Sequence, residues 1–135
     1  MTIKAAGTVS LALVVALGAG WVWGASRSAA VDRERRRVEE RVHFETARAN
    51  VLEGRLTLVG NDYAGAARLF GQATADLEEL QRLLREVGQA ELAGRIEIVV
   101  SHLGDARQAA AAENANAWSA ADAALQALKG IRLPE

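Results

Sequence analysis

Cysteine is absent from the 135 residues of the chain, which excludes a disulfide scaffold, a thiolate metal centre and a cysteine nucleophile. Proline occurs once and aromatics are few, with three Trp, one Tyr and two Phe. That scarcity disfavours an all-β core and leaves helices unobstructed. Charge of one sign is also lacking: 16 basic side chains face 17 acidic ones, a net charge of −1. No nucleic-acid partner is expected without a basic field. The length allows one small domain, not two.

One long hydrophobic run is present. Ala5 to Ala25 holds no charged residue and is bounded by Lys4 and Arg27. At about 1.5 Å per residue such a run matches a hydrocarbon core of roughly 30 Å. Trp21 and Trp23 sit at its C-terminal end, where indoles anchor at the interface. A cleaved signal peptide is the rival reading, with Gly24-Ala25-Ser26 as the small-residue site. Two tryptophans just before that site fit poorly, so residues 1–26 are expected to be an uncleaved transmembrane anchor. Thr8, Ala12, Ala16, Gly20 and Gly24 recur every four residues and form one ridge of small side chains. Such a ridge lets membrane helices pack closely, against another subunit or a second copy. The run offers no ionisable side chain to a proton, ion or tetrapyrrole.

Arginines are concentrated just after the run, at Arg27, Arg33, Arg35, Arg36, Arg37 and Arg41. By the positive-inside rule they place the following domain in the cytoplasm, with the periplasmic or extracellular side as the alternative. Arg27, Arg33, Arg36 and Arg37 are the candidates for lipid headgroups, each worth about 1 kcal/mol beside an anionic surface.

Hydrophobic spacing organises the remainder. Val31, Val38, Val42, Ala49, Leu52, Leu56 and Val59 fall three and four apart, interrupted by Arg35 and Glu45. Tyr63, Ala66, Phe70, Ala73, Leu77, Leu80, Leu84 and Val87 continue the pattern without a break. Leu92, Ile96, Val99, Leu103, Ala106 and Ala110 form a third stripe, and Trp118, Ala121, Leu125 and Leu128 a fourth. Each set is expected to bury one helix face, with Leu58, Leu83, Ile98 and Val100 widening the stripes. Gly60-Asn61-Asp62, Gly88, Asn114 or Asn116, and Gly130 punctuate the segments. Connections this short make successive helices antiparallel. The predicted fold is all-α: a single N-terminal transmembrane helix, a membrane-proximal helix over 27–60, and the rest of an up-down bundle of about four helices over 61–135.

The stretch from Asp62 to Ala73 resembles the second half of a tetratricopeptide repeat. Tyr63, Ala66, Phe70 and Ala73 fall at that family's aromatic and small positions. Fifty-five residues on, Trp118, Ala121, Leu125 and Leu128 repeat the spacing, although the family's period is about 34 and no proline closes either unit. The resemblance implies a helical protein-binding module rather than an enzyme.

Chemistry is thinly represented. Glu40-Arg41-Val42-His43 is the Glu-x-x-His half-motif that resembles di-metal carboxylate bundles, but the only other histidine, His102, follows Val99 and gives no second half. Phosphate loops, nucleophile elbows and zinc spacings are absent from the sequence. No catalytic residue, metal or cofactor is therefore expected. Five intrahelical glycines, Gly54, Gly65, Gly71, Gly94 and Gly104, point to close helix–helix approach. The expected role is a non-catalytic, single-span accessory subunit of a larger membrane complex, with energy-converting assemblies as candidate hosts. A homodimeric, membrane-anchored docking or signalling module is the alternative. Partners are then other membrane subunits, the bilayer, and possible further copies of the chain.

Overall fold

A computed structural model describes the backbone from residue 2 and side chains from residue 27 onward. Among the described residues there are four helices in chain order: α1 (Thr2–Val59), α2 (Tyr63–Glu86), α3 (Ala90–Ala111) and α4 (Asn116–Lys129). No strand occurs among the described residues. Two compact units divide the chain, Met1–Arg37 and Val38–Glu135. The side chains of Thr8, Ala12, Ala16, Gly20, Gly24, Trp21 and Trp23 lie outside the described residues. Among the described residues no helix is long and apolar enough to cross a membrane.

All three connections end the preceding helix in the same way. The amides of Asn61 and Asp62 bond the carbonyls of Leu58 and Thr57, those of Gly88 and Gln89 the carbonyls of Arg85 and Leu84, and those of Glu113 and Asn114 the carbonyls of Ala110 and Ala109. This paired pattern is the Schellman stop, and it needs a left-handed residue. Asn61 (φ 57°), Gly88 (φ 77°) and Glu113 (φ 51°) supply it. Asp62 then caps α2 by accepting the Gly65 amide at 2.8 Å. Asn114 Oδ1 accepts the Asn116 amide at 2.9 Å and opens α4. Tight reversals of this kind set α2, α3 and α4 antiparallel in succession.

The core of the second unit is built around Phe70, Leu77, Leu80 and Leu84 of α2 and Ile96, Val99 and Leu103 of α3, all fully buried. On α4 the innermost row is Ala117, Ala121, Ala124 and Leu128, while Trp118 and Leu125 are half-buried at its margin. The stripes expected on α2 and α3 are thus inside, apart from exposed Val87 and half-buried Tyr63 and Leu92. Leu58 and Leu83 are buried as well, and Ile98 faces solvent.

The stripe expected on α1 is on the wrong side. Val31, Val38, Val42, Leu52, Leu56 and Val59 are all exposed, from 45% at Leu52 to 68% at Leu56. Arg35, Glu45 and Ala49 are exposed with them. The buried face carries Glu40, Phe44, Ala47, Val51, Gly54 and Leu58, which keep the same four-and-three spacing. A helix of about 100° per residue puts these two rows about 150° apart. The inner row wins because it is small where the partner helix is large. A Cβ at Gly54 would lie 2.7 Å from Phe70 Cε1, so only glycine admits the Phe70 ring at this depth. Leu52 or Leu56 at that contact would hold the helices apart.

Candidate docking surface on α1

Within the second unit, the outward row of α1 runs Val38, Val42, Glu45, Ala49, Leu52, Leu56, Val59. Spacing of 4,3,4,3,4,3 is that of a coiled-coil seam, with Val42, Ala49 and Leu56 at a and Val38, Glu45, Leu52 and Val59 at d. Monomeric surfaces seldom align large aliphatic side chains over six turns, and such alignments mark contact sites. Arg41, Arg48 and Arg55 run along one edge of the row, and Glu39, Thr46 and Glu53 along the other. Glu45 itself lies one turn from Arg41 and one turn from Arg48 on its own helix.

Both edges are tied to the bundle. On the basic side Arg55 Nε donates to Asp122 Oδ1 of α4, and its guanidinium stacks over the Trp118 indole at 5.8 Å from the ring centre. A hollow of about 390 Å³ opens there, lined by Arg48, Leu52, Asp122, Leu125 and Lys129 among others. On the acidic side His43 Nδ1–H donates to Asp76 Oδ1 of α2 at 3.1 Å. These contacts hold the outward row at a fixed rotation relative to α2 and α4.

The Glu-x-x-His half-motif resolves differently from its spacing. Glu40 turns into the bundle, 6% exposed. Its neighbour Glu39 shares a side with His43 instead, and one ligand atom each from Glu39, His43 and Glu79 lies within 4.8 Å of the others. Sequence spacing missed this cluster because Glu79 comes from α2, and only the folded register brings it in. Three such ligands are a donor set for a divalent cation. Arg82, however, already holds Glu79, donating from Nε to Oε2 at 3.0 Å and from the second nitrogen to Oε1. It also donates to Glu86. The Arg82 guanidinium keeps the Glu79 carboxyl below the usual carboxylate range, and Glu79 in turn raises the Arg82 pKa. A cation at this point has to displace a bidentate guanidinium.

Of the remaining predicted residues, Tyr63, Ala66, Phe70, Trp118, Ala121 and Leu125 all belong to or line the core. Ala66, Phe70 and Ala121 are fully buried, so the repeat-like segments serve helix packing within the bundle. In the first unit Arg27, Arg33, Arg36 and Arg37 are exposed. Arg33 Nε donates back to the Ala29 carbonyl at 3.1 Å. A hollow of about 630 Å³ between α3 and α4 is shallow and lined by His102, Asp105, Asn116 and Ser119 among others. No protein-family model, curated protein or solved structure matches this chain.

Proposed function

We propose that this chain is a non-catalytic, single-span accessory subunit that holds a larger membrane complex by helix packing. The observation that carries the reading is the outward face of α1, where five large aliphatic side chains stand exposed in coiled-coil register on an otherwise well-filled bundle. The uncharged run Ala5–Ala25 supports a membrane anchor, with its small-residue ridge as a second contact inside the bilayer. The arginines that follow it favour a cytoplasmic side for the bundle and are themselves suited to anionic headgroups. Respiratory or photosynthetic assemblies, which recruit many single-span chains, are the proposed hosts.

Purification of the tagged chain from native membranes in a mild detergent tests the reading. Co-elution with membrane subunits in fixed proportion is expected, and elution as a lone monomer overturns it. A second reading, a homodimeric membrane-anchored docking module, is favoured by the opposite charge of the two edges of the α1 row.

A further inference from the structure

We infer that the outward face of α1 pairs with the same face of a second copy of this chain, as a parallel, in-register two-stranded coiled coil over Val38–Val59. The inference rests on the proposed docking role of that face and names its occupant.

Three features of the face select a second copy. Its spacing is the heptad pattern without a skip, so a straight partner helix of the same period fits along its whole length. Its two edges are opposite in charge. A parallel pair related by a two-fold axis along the seam brings each copy's Arg41–Arg48 edge against the other's Glu39–Glu53 edge, on both sides at once. Arg48 at g and Glu53 at e, five residues on, are the pair that meets across such a dimer. An antiparallel pair sets arginine edge to arginine edge and is disfavoured. Finally, the one charged residue in the row, Glu45, would meet its own counterpart, and it is the position best furnished with counter-charge. Arg41 and Arg48 of each copy lie one turn away, so two carboxylates are gathered among four guanidiniums. A polar layer of this type lowers the affinity of a seam while fixing its register.

The seam is three heptads long, which makes the association weak in dilute solution. Chains held parallel in one bilayer meet at an effective concentration near the millimolar range, where a short seam suffices.

Because the chain has no cysteine, Leu52→Cys provides a single thiol at a d position, on a side chain the bundle leaves exposed. Ser101→Cys, on the exposed side of α3, serves as the off-seam control. Disulfide formation is followed in the full chain in phospholipid vesicles under mild oxidation. The expected result is a cross-linked dimer through Leu52→Cys at about tenfold or more the yield of Ser101→Cys. Adding Arg48→Glu or Glu53→Arg is expected to lower that yield about tenfold, and combining both in one chain to recover it in part, since Arg48→Glu also takes two guanidiniums from the Glu45 layer. Circular dichroism should show the same helix content and melting for each variant, since all four positions are on the surface. Recovery by the charge swap requires position 48 of one copy to meet position 53 of another, because residues five apart on one helix do not face each other. Yields insensitive to the swap, or equal at Leu52→Cys and Ser101→Cys, overturn the inference. In native membranes, cross-linking of Leu52→Cys only to a different polypeptide overturns self-pairing and leaves the accessory role standing. No cross-link there to any chain overturns both.

Discussion

Glycine inside a helix costs about 1 kcal/mol against alanine, and this chain contains two glycines that justify the cost and two that do not. Gly54 meets the Phe70 ring, and Gly65 meets the Asp62 cap and Thr57. Gly94 and Gly104 have open space where a Cβ would stand, so the close approach expected of them from sequence is not made. Gly94→Ala and Gly104→Ala are therefore expected to raise stability by about 0.5–1 kcal/mol each, and Gly54→Ala to lower it by about 1–3 kcal/mol. Urea titrations of the three variants check the sign in each case. A second residue-scale consequence concerns acid. The Glu79 pKa is lower folded than its ordinary value of 4.5, mainly through the Arg82 hydrogen bond. Its contribution to stability is thus complete above that ordinary value and disappears as pH falls through the lowered one. Arg82→Met should remove the effect, so that the urea midpoint falls less between pH 7 and pH 3 than in the parent.

At the scale of the helix, most of the fold was legible and the rotation of α1 was not. Stripes on α2 and α3 identified the core because each of those helices has one dominant apolar row. The turns were legible through Gly60-Asn61-Asp62 and Gly88, but not at Glu113, whose left-handed backbone no side-chain preference announces. On α1 two rows share one period, and the bulkier row looks like the core. What decides between them is the Phe70 ring, a neighbour from another helix, and hence invisible to periodicity. The same reason hid the meeting of His43 with Asp76 and Glu79. A paired truncation discriminates the two faces: Leu58→Ala is expected to cost about 2–4 kcal/mol and Leu56→Ala less than about 0.5 kcal/mol. Thermal unfolding of the two variants side by side reads this directly, and the opposite ranking would return the outer row to the core.

For the whole molecule, the membrane assignment rests on the sequence of residues 5–25, and it makes a plain physical demand. A helix buried across the bilayer resists a concentrated carbonate wash, whereas an arginine cluster held only by charge is screened off the headgroups by its ionic strength. The full chain is expected to stay in the membrane pellet after alkaline carbonate washing, and its release into the supernatant would contradict an anchor. The two-faced α1 has a consequence for how the gene can change. Inner and outer rows run in phase along the same cylinder, so deleting a single codon near position 47 swings everything downstream by about 100° and misaligns both at once. Point replacements at exposed polar sites such as Thr46 leave both rows intact. Length variation within this helix should therefore be purged far more strictly than substitution, and a library of single-codon deletions across 40–58 would display that as a uniform loss of folded bundle.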